Sequence, residues 1–70
     1  MNTIYKNSNS KYIVAEFNKF TNSYRAYFTE NELKNRGGCN SLGANNIEAF
    51  TELLYDNYSS AYSRLKRLTK

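Results

Sequence analysis

The sequence predicts an α+β fold, in which a small antiparallel sheet of two to three strands packs on one long C-terminal helix. Two observations predict it. In the first 28 residues, β-prone runs are separated by turn-forming residues, as in a small antiparallel sheet. In the last third, apolar residues recur every three or four positions, as on one face of a helix. Seventy residues suit one small domain, so 1–70 is treated as a single domain.

The first strands are predicted from two β-prone runs. Thr3–Lys6 is short and ends at the turn-forming residues 7–10. Lys11–Asn18 has good strand character, with Tyr12, Val14 and Glu16 on one face. The opposite face is more apolar, and we expect it to receive the C-terminal helix. Its residues are Ile13, Ala15 and Phe17.

A hairpin is expected after the second run. Residues 20–23 are predicted to connect its strands, and Asn22 suits a left-handed backbone conformation there. The next run, Tyr24–Phe28, points Arg25 and Tyr27 outward and its remaining apolar residues inward. An outward arginine beside an outward tyrosine makes this sheet face a candidate binding surface.

Two structures are compatible with the residues that follow the hairpin. Thr29 and Glu32 have the spacing of a capping box, and Gly37 stands where a helix would end. These signals predict a short helix over 30–36. The alternative is that 32–34 extends the sheet as a third strand.

One long amphipathic helix is predicted from Asn46 to Lys70, with Asn45 or Asn46 as its N-cap. Acidic residues lie in its first half and basic residues in its second half, an order that complements the helix dipole. The predicted apolar stripe is Ile47, Phe50, Leu54, Tyr58, Ala61, Leu65 and Leu68. The basic residues of the second half are Arg64, Lys66, Arg67 and Lys70.

The residue content argues against catalysis. The chain has no histidine, which removes the commonest general base and the Ser–His and Cys–His pairs. Cys39 is the single cysteine, so neither a disulfide nor a zinc site is predicted; a reactive thiol is the alternative interpretation. The loop 37–45 contains three glycines but lacks the Gly-Lys-Ser/Thr ending of a P-loop, which favours a flexible connector. We expect a protein that is not an enzyme and binds no cofactor or metal.

Charge and hydropathy restrict the expected partners. The net charge is +4 and the isoelectric point is about 9.3, which favours an acidic protein patch or a nucleic acid. No run approaches the ~18 apolar residues of a membrane span, and the first residues lack the apolar region of a signal peptide. We expect no membrane contact and a cytoplasmic location. Because so short a chain forms a small core, a homodimer is an open alternative.

Tyrosines and basic residues outside the apolar stripe are the candidate partner-binding residues. Exposed tyrosine near arginine is typical of interface hot spots, and an ordinary solvated surface is the alternative. Two surfaces are expected: the outer face of the sheet, and the solvent face of the helix with its basic end. The candidates are Tyr12, Arg25, Tyr27, Tyr55, Tyr62, Arg64, Lys66, Arg67 and Lys70.

The layout resembles that of the AP2-type and integrase arm-binding domains. It consists of a hairpin from Tyr12 to Phe28, a glycine-containing loop, and a helix that starts at Asn46–Phe50 with Asn-Ile-Glu-Ala-Phe. In those domains a three-stranded sheet enters a DNA groove, so the resemblance implies a DNA-binding sheet face. This chain has only Arg25 where that family has an Arg/Trp-rich face.

Size, layout and residue usage also resemble those of small phage-encoded inhibitors of host defences, including anti-CRISPR proteins. The chain favours residues of A/T-rich codons, with many Asn and Tyr and no Pro. The resemblance implies a non-enzymatic inhibitor of a host protein, such as a nucleic-acid-processing complex. Its positive charge suits an acidic patch on that protein. The alternative function is a small DNA- or RNA-binding regulator, and the third is an assembly protein that dimerises through the helix.

Overall fold

The computed structural model describes residues 2–28 and 40–68 and shows an α+β fold. Four antiparallel strands form one sheet in the order β1-β2-β3-β4, and one α-helix packs on it. The α+β class is therefore confirmed, and the sheet has four strands rather than two to three. The elements are β1 (Asn2–Lys6), β2 (Tyr12–Asn18), β3 (Ser23–Tyr27), β4 (Ser41–Ala44), a 3₁₀ turn (Ile47–Ala49) and α1 (Tyr58–Leu68).

Asparagine side chains shape both connections of the three-strand meander. In the β1–β2 turn, Asn7 Oδ1 accepts from the backbone N–H groups of Asn9 and Lys11, at 2.9 and 3.0 Å. In the β2–β3 turn, Asn18 Oδ1 accepts from the N–H of Phe20 at 2.9 Å. Asn22 has φ of 54°, so its predicted left-handed conformation is confirmed.

Both faces of the sheet are covered by other parts of the chain. The face that carries Ile13 and Ala26 packs on Phe50, and together with Ala15 these residues form a buried cluster. The opposite face carries Val14 and receives α1, which packs mainly against β1 and β2 and buries Ala61. Partly buried apolar residues surround the first cluster; they are Tyr5, Tyr24, Leu42, Ala44, Ile47, Leu53 and Leu54.

The prediction of one helix from Asn46 to Lys70 is wrong in its first half. Asn46 caps only a 3₁₀ turn, because the backbone is already extended at Phe50. Leu53 has φ of 60°, which no α-helix accommodates. The α-helix begins at Tyr58, and Asn57 Oδ1 accepts from the N–H of Ser60 at 2.8 Å as its cap. The segment between the two caps lies across the sheet as irregular backbone.

The predicted placement of the helix is also wrong. It was expected on the face of Ile13, whereas α1 lies on the opposite face, where the Tyr12 ring contacts Tyr58. Of the residues expected to meet that face, Ile47, Phe50 and Leu54 belong to the Ile13 cluster through the irregular segment, whereas Tyr58 and Leu65 lie on α1. The apolar pattern therefore predicted that these residues contact the sheet, but it predicted the wrong secondary structure for them.

Part of the predicted loop 37–45 is a strand. Ser41–Ala44 pairs with β3, and Gly43 lies opposite Arg25. Pairing with the edge of β3 imposes this strand on residues of low β propensity. The predicted helix over 30–36, its capping pair and Cys39 lie outside the described residues. Within the two described stretches, no helix has the length and apolar character needed to cross a membrane.

Candidate interaction surface

A row of aromatic and basic side chains crosses the junction of the sheet and α1. We call it the tyrosine–lysine row, and its members in spatial order are Lys6, Tyr12, Tyr58, Tyr62 and Lys66. Lys6 and Tyr12 lie directly opposite each other in the β1–β2 register. The other three lie four residues apart along α1, which places them on one helix face. Two sheet residues and three helix residues thus form one continuous surface.

The three tyrosine rings contact each other in sequence. Tyr12 and Tyr58 meet edge to face, with 5.8 Å between centroids and an interplanar angle of 84°. Tyr58 and Tyr62 are stacked, with 6.2 Å between centroids and an angle of 14°. Such pairs contribute about 0.5–1.5 kcal/mol beyond the area they bury. These contacts therefore favour the observed relative orientation of the three rings.

A lysine lies over the ring at each end of the row. Lys6 Nζ is 5.8 Å from the Tyr12 centroid, and Lys66 Nζ is 5.4 Å from the Tyr62 centroid. At exposed sites a cation–π contact contributes about 0.5–1 kcal/mol. Tyr58 and Tyr62 remain 55% and 46% exposed. The surface therefore combines accessible rings with two positive charges.

Backbone and charge contacts attach the start of α1 to β2. Tyr12 and Tyr55 form an isolated antiparallel bridge, with N–H to O distances of 2.9 and 2.8 Å. Next to this bridge, Lys11 pairs with Asp56, and the Lys11 ammonium lowers the pKa of that carboxyl below its usual value. A second attachment joins Ser8 to Glu48, whose carboxylate accepts from Ser8 Oγ at 2.6 Å. These contacts position the helix so that Tyr58 reaches Tyr12.

Arg64 was predicted as an exposed binding residue, and the structure places it inside the protein. Its side chain is 3% exposed and its Nη2 donates to the backbone carbonyl oxygen of Tyr27. Tyr27 is the last residue of β3, so this bond joins the helix to a strand beyond β1 and β2, against which it mainly packs. A buried guanidinium requires such acceptors, since an unpaired buried charge is strongly unfavourable. The predicted exposure of Arg64 is therefore wrong, and its guanidinium is bonded within the fold.

The remaining predicted binding residues are dispersed. Tyr55 is half-buried in the bridge to Tyr12 and is not on a helix. Arg25 is exposed on β3, and the half-buried Tyr27 follows it on the same strand face. Arg67 is exposed in the last turn of α1, away from the row, and Lys70 lies outside the described residues. Of the predicted candidates, the row brings together Tyr12, Tyr62 and Lys66.

The sequence prediction missed two members of the row. Tyr58 was assigned to the apolar core stripe, but it is more than half exposed. Within α1 the predicted stripe is right for Ala61, which is buried, and for Leu65 and Leu68, which are half-buried; the error is confined to its first member. The spacing of four between Tyr58, Tyr62 and Lys66 was the signal that would have grouped them. Lys6 becomes a neighbour only through strand pairing.

Comparisons with protein-family models, with curated proteins and with solved structures found no match to the chain. The surface is therefore interpreted from its own geometry. Among residues 2–28 and 40–68, no three His, Cys, Asp or Glu side chains are grouped so that they could hold a metal ion.

Proposed function

We propose that the chain is a non-enzymatic binding protein of phage or mobile-element type that inhibits a host protein through the tyrosine–lysine row. The observation that carries the proposal is the stacked, half-exposed pair of Tyr58 and Tyr62 with a lysine at each end of the row. The phage origin is supported by size and residue usage alone.

The row has the properties of an interface hot spot. Tyrosine is enriched at hot spots because it presents a large contact area with few rotatable bonds. Here the rings already contact each other, and the Tyr12–Tyr55 bridge fixes the helix that carries two of them. Little side-chain freedom is left to lose on binding, which favours affinity.

The charges of the row define the chemistry of the partner. Lys6 and Lys66 stand at opposite ends, so an acidic patch with carboxylates on two sides of an apolar centre would match it. Complementary charge speeds encounter and selects against basic partners. We therefore propose an acidic patch on a host protein as the target.

Affinity measurements test the proposal with one tyrosine variant and with a matched pair of charge variants, one inside the row and one outside it. A partner is first captured from host lysate, and its dissociation constant is then measured by calorimetry. Tyr58→Ala should weaken binding about 30-fold, or roughly 2 kcal/mol, because hot-spot tyrosines contribute on this scale. Lys66→Glu should also weaken it, whereas Arg67→Glu, the same charge change one residue outside the row, should have a much smaller effect. Equal effects of the two charge variants would overturn the assignment.

Single-stranded nucleic acid is the second candidate, because exposed tyrosine rings stack on bases and lysines contact phosphates. If the row's two lysines carried such binding, log K against log salt should have a slope of about −1.4. Absence of binding to random single strands at low salt would remove this candidate. Salt-dependent binding that is lost in Tyr58→Ala would favour it over a protein target.

A further inference from the structure

The outer edge of the sheet at β1 carries backbone groups that no described strand pairs with. Among residues 2–28 and 40–68, β1 pairs with β2 alone, so it is an edge strand of the sheet. Such an edge presents N–H and C=O groups that another strand can pair with. Folded proteins commonly blunt an edge with a charge, a proline or a bulge. The centre of β1 has none of these, since its register with β2 is unbroken and its central residues are the β-prone Thr-Ile-Tyr.

Hydrogen bonds beside the β1–β2 turn show which residues of β1 face this edge. The N–H of Asn7 donates to the carbonyl oxygen of Lys11 at 2.9 Å, so these two residues form a hydrogen-bonded pair. Such pairs alternate along an antiparallel ladder, so the next pair, Lys6 and Tyr12, is not hydrogen-bonded. In agreement, the N–H and C=O groups of Tyr12 bond to Tyr55 instead. The residues of β1 whose backbone groups point outward are therefore Asn2, Ile4 and Lys6.

We propose that β1 pairs with β1 of a second copy of this chain, in antiparallel orientation about a two-fold axis at Ile4. The strand has five residues, and its central residue is one whose backbone groups point outward. A two-fold axis there opposes Ile4 to Ile4 and Asn2 to Lys6, so each outward N–H meets an outward C=O. This register forms about six backbone hydrogen bonds, two for each opposed pair. Any other symmetric register pairs fewer of the outward groups.

The side chains are compatible with this register. On the face that carries α1, Ile4 meets its symmetry mate, and Lys6 lies opposite Asn2, so no like charges are opposed. On the other face, Thr3 lies opposite Tyr5, a β-branched and aromatic pair of the kind that stabilises sheets. The edge is therefore complementary to itself in its side chains as well as in its backbone.

The position of α1 matches the second copy. A two-fold axis perpendicular to the sheet keeps both helices on the same face of the joined sheet. α1 packs about equally on β1 and β2, so it lies near the midline between these strands. Because strands are about 4.8 Å apart, the two midlines are about 10 Å from each other across the two-fold axis. Packed helices are typically about 8–10 Å apart, so the two helices can contact each other without a clash.

A strand of an unrelated protein would fit this edge less fully. It could pair with the same backbone groups, but it would leave the flank of α1 in water unless it also carried a helix at the matching distance. A second copy supplies the strand and the helix together. Because the interface consists of one short strand and one helix flank, we expect a weak dimer, with a dissociation constant on the order of 100 μM.

Sedimentation equilibrium and amide hydrogen exchange test the dimer on the intact chain. The apparent mass should rise from 8.2 kDa toward twice that value as the concentration increases to about 1 mM. Over the same range, NMR should show that the amides of Ile4 and Lys6 become protected from exchange. The amides of Thr3 and Tyr5 point toward β2, so their protection should not depend on concentration.

Backbone methylation gives the sharpest variant, and a chain of 70 residues can be made by chemical synthesis and ligation. N-methylation of Ile4 removes an outward donor and keeps every side chain. The fold should persist by circular dichroism, while the dimer, which loses two hydrogen bonds, should weaken at least about tenfold. N-methylation of Tyr5 removes an inward donor and is the matched control, because it should destabilise the fold of the monomer instead.

Lysine substitutions at two neighbouring positions give a matched recombinant test. Asn2→Lys opposes lysines twice across the interface, so it should weaken the dimer several-fold. Within its own chain position 2 lies opposite Glu16, which is an attractive neighbour for the new charge. Thr3→Lys makes the same change of charge but lies opposite Tyr5, so its dimer should stay within about twofold of the wild type.

Three results would overturn the proposal. The first is a wild-type chain that stays monomeric at about 1 mM. The second is a dimer that is unaffected by N-methylation of Ile4, which would place the interface elsewhere. The third is full protection of the Ile4 and Lys6 amides in the dilute monomer, which would mean that the chain covers this edge itself. These measurements contain no host protein, so their failure leaves the proposed function untouched.

Discussion

The two faces of the sheet are covered in different ways, and the difference separates the apolar core from the proposed binding surface. One face packs on an irregular segment through a purely apolar cluster of Ile13, Ala15, Ala26 and Phe50. The other packs on α1, which buries Ala61 but also the guanidinium of Arg64 and leaves tyrosine rings in solvent. The irregular segment covers one sheet face with apolar side chains. The helix covers the other face only in part, and the tyrosine–lysine row lies exposed at the edge of that contact.

This comparison teaches where substitutions should be tolerated. In a domain of this size the total free energy of unfolding is only several kcal/mol, so few substitutions in the buried apolar cluster should be tolerated. The helical face has residues whose loss should affect binding more than folding. Substitutions on each face can break or sharpen this division.

Phe50→Ala should have the largest effect on stability. Phe50 is 5% exposed within the Ile13 cluster, and truncation of a buried phenylalanine costs about 3–5 kcal/mol. That is most of the expected stability, so the thermal transition should fall sharply or vanish. Chemical denaturation with circular dichroism measures it. Phe20→Ala, at an exposed ring, is the control and should stay within about 0.5 kcal/mol of wild type.

Arg64→Leu should have an intermediate effect. It removes the donor to the Tyr27 carbonyl and leaves that partly buried oxygen without this bond, which costs about 1–3 kcal/mol. Arg67→Leu, an exposed arginine in the same helix, should change the free energy of unfolding by no more than about 0.5 kcal/mol. Indistinguishable results for the two arginines would mean that desolvation of the Arg64 guanidinium cancels its bond, and the two faces would then differ less than described.

Lys11→Met should have the smallest effect on folding and a clear effect on titration. The Lys11 hydrogen bond and charge lower the pKa of Asp56, so in the variant this pKa should rise toward the usual 3.8. A carboxyl group whose pKa is lowered by folding stabilises the folded state at pH values above its unfolded-state pKa. This stabilisation is lost as the pH falls through the folded-state pKa. The variant should therefore lose less stability on acidification. Carboxyl NMR titration measures the shift, and an unchanged Asp56 pKa would disprove the pairing in solution.

The meander was predictable because its signals are local. Period-two alternation placed β2 and β3, and an asparagine at the turn predicted the left-handed residue 22. The strand β4 was not predictable, since Ser-Leu-Gly-Ala has little strand character of its own. It forms because Leu42 and Ala44 complete the apolar face against Ala26 and Tyr24. Such a strand is determined by its neighbour rather than by its own residues.

The segment 46–57 shows why apolar spacing alone misassigned a helix. Side chains three or four apart reach one surface from a helix, and also from a 3₁₀ turn followed by bends. Asn46 and Asn57 are both good caps, and the sequence does not rank them. Leucine has no preference for φ of 60°, so the residue at position 53 gives no sequence signal that the helix is interrupted there. Because the helix was started too early, Tyr58 was assigned to the core, and the central ring of the candidate site was missed.

The bridge between Tyr12 and Tyr55 has a consequence for how binding depends on folding. It connects the beginning of β2 to the approach of α1, so the row exists only while α1 is docked on the sheet. Local opening of α1 would separate Tyr58 from Tyr12 and leave the Ile13 cluster closed. Affinity should therefore decline on heating before the sheet melts, and a peptide of the helix alone should not reproduce it. Under the proposed function, the measured affinity would therefore show what fraction of molecules have α1 docked on the sheet.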